Sequence, residues 1–136
     1  VEPVRWRDWS LPAGVDAPIV GLLQAQLGGL ADGVVAVRVT LPWDTSAESC
    51  AEAACVAADL TVGPPVGAAC EDAWRPHPNP DVSLRFAPVA AVDGPLVGTG
   101  RLVRISGGLG VVDVDVYAGG VPFATGAATA LVLGGR

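Results

Sequence analysis

Asp59 and Glu52 are the residues of this chain best placed to do chemistry. Asp59 lies in the run Ala47–Val62, which is mostly Ala with Cys, Val and Leu. A carboxylate on so apolar a helix is costly unless something employs or satisfies it. In a site it would act as general base or nucleophile. The plainer reading is a side chain that bonds a nearby backbone group or reaches water at the helix end. Glu52 stands seven residues earlier, two helical turns away on the same stripe, and is the alternative acid. Its plainer reading is a solvated residue near the helix start.

The other reactive residue types form weaker constellations. Cys50 and Cys55 fall in the same Ala-rich run and read as small hydrophobes. A Cys nucleophile needs a helix N-terminus and a base; Cys50 has the first, and His77, the single histidine, is the lone candidate for the second. His77 sits among Pro76, Pro78 and Pro80, where an exposed loop residue is the simpler expectation. Three Cys and one His at these spacings do not make a zinc site, so no metal is expected. Arg75, Arg85, Arg101 and Arg104 are candidates for meeting phosphates, or are ordinary solvent-face charge on strands. No G-x-G-x-x-G follows a strand and opens a helix, so dinucleotide binding is unsupported, and the lack of a G-x-S-x-G elbow excludes an α/β-hydrolase.

Composition sets the frame. The 136 residues suffice for one domain with a real core. Half of them (51%) are hydrophobic, yet aromatic residues are few, so Val, Ala and Leu must fill the interior. With 18 Gly and 12 Pro, short strands joined by turns are favoured. All basic residues are Arg. The net charge of −6 argues against nucleic acid or an anionic membrane as partner. Three cysteines cannot all pair within one chain and none forms C-x-x-C, so reduced thiols and a cytoplasmic location are expected. The first ten residues are polar, unlike a signal peptide, and a start at Val1 suits a domain of a longer polypeptide. The uncharged stretch Val116–Gly135 has five Gly, a Pro and a period of two, and reads as strand instead of membrane helix.

The elements that must position the acids follow from periodicity. Residues 1–17 have no clean period and are expected as an arm on the surface. Pro18–Leu23 is a short helical turn, and Ala25–Leu30 a strand leading to an Asp-Gly turn. Val34–Leu41 alternates, with Val35, Val37, Val39 and Leu41 on one face. Thr45 and Glu48 have capping-box spacing at the head of the helix, and Gly63-Pro64-Pro65 stops it. Val66–Cys70 is a short apolar piece and Glu71–Pro80 an extended loop. Asp81 to Pro88, Leu96 to Ser106, Leu109 to Tyr117 and Val121 to Leu133 are four strands, spaced as a meander would be.

Laid out in this order, the chain resembles a hotdog-fold domain of the PaaI-type thioesterase group. The residues that carry the resemblance are Asp81-Val82-Ser83-Leu84-Arg85-Phe86-Ala87-Pro88, Gly94-Pro95-Leu96, Gly100-Arg101-Leu102-Val103-Arg104, Val112-Asp113-Val114-Asp115-Val116 and Gly120-Val121-Pro122-Phe123-Ala124-Thr125-Gly126-Ala127-Ala128-Thr129. The resemblance implies an α+β fold, a central helix wrapped by a curved antiparallel sheet, over residues 18–136. In that group an H-G-G-like segment opens the helix and an Asp or Glu follows about two turns on. Ala54-Cys55-Val56-Ala57-Ala58-Asp59-Leu60-Thr61-Val62-Gly63 is similar to the run around that acid, which gives Asp59 its place. Cys50-Ala51-Glu52 stand where H-G-G would be, a clear departure.

The resemblance implies hydrolysis of acyl thioesters carried on coenzyme A or an acyl carrier protein, without a cofactor. Asp59, or Glu52 in its stead, would be base or nucleophile. The amides around Glu48 to Glu52 would polarise the carbonyl. Cys50 and Ala51 would border the substrate, and Arg75, Arg85 and Arg104 would meet its phosphates. The acid is expected to be buried and to face the ligand. Hotdog dimers commonly share such a site between subunits, so a homodimer or dimer of dimers is expected. Two other functions fit the same fold: a non-hydrolytic binder of acyl ligands or assembly module, and a lyase or isomerase, the latter weakened by the missing D-x-x-x-x-H pairing.

Overall fold

The computed structural model describes residues 5–8, 21–29, 34–41, 47–62, 81–87, 95–106 and 108–131. Among the described residues its strands are β1 (Trp6–Asp8), β2 (Gln26–Gly29), β3 (Val35–Val39), β4 (Asp81–Phe86), β5 (Leu96–Ser106), β6 (Leu109–Ala118) and β7 (Val121–Leu131), with the helix α1 (Ala47–Leu60) between β3 and β4. They form a single antiparallel sheet in the order β1-β2-β3-β5-β6-β7-β4, and α1 packs across it. This is the hotdog arrangement. Among the described residues no helix is long and apolar enough to cross a membrane.

Alternation decides which face each strand gives to the helix. Val37 and Val39, Leu96, Val112, Val114 and Val116, and Ala124, Ala128 and Ala130 are buried in one cluster with Ala53, Ala54, Ala57 and Ala58 of α1. Intervening positions, such as Arg101 and Asp113, are exposed on the opposite face, called outer below. The helix buries Cys50, Ala53, Ala54, Ala57, Ala58 and Thr61, a stripe at i, i+3, i+4, i+7, i+8 and i+11. Its small residues let it lie low on β5. A Cβ added at Gly98 would come 3.4 Å from the backbone of Ala57 and 3.3 Å from Thr61 Cγ2.

Two register shifts adjust the long β5-β6-β7 meander. One, between Leu102 and Arg104, pushes Val103 out of the ladder, and Val103 is 52% exposed. The other, between Val116 and Tyr117, lets Phe123 be buried beside Ala124, and its ring meets Phe86 edge-on at 5.6 Å. Gly119 and Gly120 take φ of 56° and 83°, the left-handed pair that a two-residue hairpin turn requires.

Three expectations change. The last four strands are not a simple meander: β4 lies at the far edge beside β7, and β5 pairs instead with β3. A strand following the helix can land on either edge, because alternation does not encode its neighbour. Part of the N-terminal arm has regular structure: Trp6–Asp8 joins the edge of the sheet as β1, with Trp6 half-buried and Arg7 and Asp8 exposed. Trp6 lies directly opposite Gly28, and the Arg38 guanidinium stands over its ring at 4.5 Å. The third is the setting of Asp59, described below. The Asp-Gly turn at 31–33, the Thr45 cap, the Gly63-Pro64-Pro65 stop, the apolar piece 66–70 and the loop 71–80 lie outside the described residues.

Candidate functional site

Helical geometry places the candidate acids. Burial of the small-residue stripe turns the opposite stripe outward, and Glu52, Cys55 and Asp59 all lie on it, exposed. Asp59 is therefore not the buried acid expected from its apolar neighbours. Those neighbours are apolar because they pack on the sheet, and Asp59 falls between two such rows. Glu52 and Asp59 share the stripe, as their spacing implies.

Cys55 is the residue that sequence reasoning assigned wrongly. It reads as a small hydrophobe, yet it is exposed, whereas Cys50 is 1% exposed within the core. The signal was present in the spacing: Cys55 is three residues after Glu52 and four before Asp59, so it must share their face.

The end of the helix is tightly drawn. Thr61 N–H donates to both Ala57 O (3.2 Å) and Ala58 O (3.1 Å), and Val62 N–H donates to Asp59 O at 3.3 Å. The Thr61 hydroxyl donates to Ala58 O at 2.7 Å. These bonds satisfy carbonyls that a helix terminus otherwise leaves unpaired, and they hold the Asp59 backbone in place. No basic residue stands in the last turn. An acid there opposes the helix dipole, which disfavours it by roughly 0.3–1 kcal/mol.

The helix begins at Ala47, so its first turn presents the positive end of the dipole there. Twelve residues separate Ala47 from Asp59, about 18 Å along the axis at 1.5 Å per residue. Ala47 and Asp59 of one chain thus lie at opposite ends of α1. Cys50 is buried and Ala51 half-buried on that first part of the helix.

The arginines are not gathered near the acids. Arg85 lies opposite Thr125 and Arg104 opposite Val111, positions that belong to the outer face of the sheet, away from α1. Arg75, His77 and Cys70 lie outside the described residues.

No protein-family model matches the chain, and no curated protein sequence matches it. Solved structures do. A provisionally assigned thioesterase from Syntrophus aciditrophicus superposes with a TM-score of 0.70 at 12% identity, covering 86% of this chain and 88% of that one. A thioesterase family protein from Silicibacter pomeroyi gives 0.65 at 19% identity, with 85% and 90% covered. A thioesterase from Haemophilus influenzae gives 0.64 at 11% identity, with 87% and 86% covered. The chain has the hotdog fold that these thioesterase-superfamily proteins share.

Proposed function

We propose that the protein hydrolyses acyl thioesters carried on coenzyme A or an acyl carrier protein, with Asp59 as general base or nucleophile. The observation that carries the reading is the outward stripe Glu52-Cys55-Asp59 on the central helix of a hotdog fold. Asp59 removes a proton from water, or attacks the carbonyl, while first-turn amides of α1 take up the developing oxyanion charge. The roughly 18 Å between the first described residue of α1 and Asp59 supports drawing these parts from two chains. A homodimer supplies both. Strand β4 ends the sheet, and among the described residues no strand pairs with its outer edge. Joining two copies there removes an exposed edge, a liability in a soluble protein.

The test is release of free coenzyme A from a panel of acyl-CoAs, followed by chromatography. Wild type releases it and Asp59→Asn does not, with the fold retained. Equal activity in Asp59→Asn removes Asp59 from the mechanism and moves the catalytic role to Glu52.

A second reading is favoured by one observation: Cys50-Ala51-Glu52 replace H-G-G, and Cys50 is sealed in the core. The protein would then bind acyl ligands without cleaving them. Binding of acyl-CoA with no release of thiol selects this reading over hydrolysis.

A further inference from the structure

The outer face of the sheet holds a polar groove with a preset cation at its side. We infer that this groove, between Trp6 and Tyr117, binds a small zwitterion, its carboxylate at Arg38 and its ammonium at Asp115. None of these residues lies on α1, so the inference is independent of the acyl-site reading.

Strand register builds the trough. Trp6 lies opposite Gly28, Gly28 opposite Ala36, Ala36 opposite Thr99, and Thr99 opposite Asp115. The middle of this row has almost no side chain. Gly28 and Ala36 are both buried, and Ala36 lies outside the core cluster on the helix side. They make a low floor between the taller ends of the row. The next row runs Gln26, Arg38, Val97 and Tyr117. The groove so formed has a volume of about 760 Å³. Small-molecule sites commonly have roughly 300–1,000 Å³. Val34 and Val97 add apolar surface for a carbon chain.

Arg38 is the anchor. Its side chain is half-buried, and Nε donates to Gln26 Oε1 at 3.0 Å. Nη2 donates to the same oxygen, and the Trp6 ring lies against the guanidinium at 4.5 Å. Gln26 is held in turn by its bond to Asp8 Oδ1, 3.3 Å long. Among the described residues, neither Gln26 nor Trp6 is charged, and neither engages Nη1. The guanidinium is thus fixed in place with donors to spare. Such a fork matches a carboxylate and loses little freedom when it binds one.

Charge selects the class of ligand. Arg38 and Arg101 border the groove together with Asp113 and Asp115, so its formal charges cancel. The whole chain carries −6. A phosphate, with about two negative charges, would meet those acids unfavourably. A zwitterion keeps the balance. Asp115 Oδ1 accepts the Thr125 hydroxyl at 2.8 Å, and a carboxylate has further lone pairs for an ammonium. Arg38 and Asp115 stand on β3 and β6, with β5 between them. Two strand spacings amount to roughly 10 Å, and side chains reaching inward narrow the gap to the length of a short ω-amino acid.

Titration with ε-aminocaproate, caproate and hexylamine tests the site, read on the Trp6 indole N–H resonance. Loss of that resonance in Trp6→Phe assigns it. The zwitterion is expected to give a saturable shift, several-fold tighter than caproate, with hexylamine weakest. Arg38→Ala is expected to weaken it about tenfold. Asp115→Asn should remove its advantage over caproate and leave caproate binding unchanged. No saturable shift in wild type overturns the inference, whether the groove stays empty or a second copy of the chain covers it. A folded Arg38→Ala variant that binds as tightly as wild type also overturns it. Should that variant fail to fold, the wild-type ranking decides: a zwitterion bound no tighter than either single-ended analogue overturns the inference.

Discussion

Gly100 and Thr61 meet where the end of the central helix crosses β5. A Cβ at Gly100 would lie 2.5 Å from the Thr61 carbonyl oxygen and 2.8 Å from its Cβ. Thr61 is fully buried, and its hydroxyl is committed to Ala58 O. The glycine is what lets the helix end, with Asp59 two residues earlier, rest directly on the sheet.

Substitution at this contact should therefore be felt at the site as well as in stability. Gly100→Ala forces backbone apart from backbone and is expected to destabilise by about 1–3 kcal/mol. Urea unfolding followed by circular dichroism measures this. Gly98→Ala, whose added methyl would lie no closer than 3.3 Å to any neighbour, is expected to cost less.

Gly126 makes the corresponding close approach at the other side of the sheet. A Cβ there would collide with the backbone oxygen of Ser83 in β4. Gly126→Ala is expected to loosen β4 first, seen as faster amide exchange at Val82 and Leu84 before global unfolding. Uniform exchange rates across β4 and β6 would refute a local effect.

Asp59→Asn should separate activity from stability. Loss of a catalytic base lowers turnover by roughly 10²–10⁴-fold. Asp59 is exposed, so an amide of the same shape is expected to leave the fold intact. A steep fall in melting temperature would mark Asp59 as structural. Glu52→Gln, on the same stripe but nearer the helix start, is expected to be the milder variant.

The two described helix cysteines should differ sharply toward thiol reagents. Cys55 is exposed and is expected to alkylate in the native protein, whereas Cys50 should react only on unfolding. Peptide mapping by mass spectrometry distinguishes them. A non-hydrolysable acyl-CoA analogue should slow labelling of Cys55, because that residue lies between Glu52 and Asp59. Unaltered labelling with the analogue bound would place the ligand elsewhere.

Arg38 ties three strands together. Its Nε donates to Gln26 Oε1 at 3.0 Å, Gln26 Nε2 donates to Asp8 Oδ1 at 3.3 Å, and its guanidinium lies over Trp6. Trp6→Ala is expected to cost about 1 kcal/mol and to free β1, which limited proteolysis between residues 5 and 8 would report. Arg38→Lys should produce part of the same effect, since an ammonium lacks the planar fork.

Much of this architecture is legible in local pattern. Val35-Ala36-Val37-Arg38-Val39 and Val112-Asp113-Val114-Asp115-Val116 alternate, and alternation on a pleated strand admits few other structures. The small-residue stripe from Cys50 to Thr61 likewise specifies a helix that can lie close to a sheet. Seven-residue spacing put Glu52 and Asp59 on one stripe without reference to any coordinate.

Tertiary packing decided the rest. Strand β4 reads the same whether it pairs with β5 or with β7; beside β7, glycine at 126 leaves room for the backbone of Ser83, which a Cβ would meet. The orientation of Asp59 could not be read from an Ala-rich run, because alanine suits both a buried row and an exposed one. Only the sheet, by covering one stripe of α1, turned the carboxylates outward with Cys55 between them. The sheet also set Arg101 opposite Asp113, an adjacency between residues on different strands that a one-dimensional pattern does not contain.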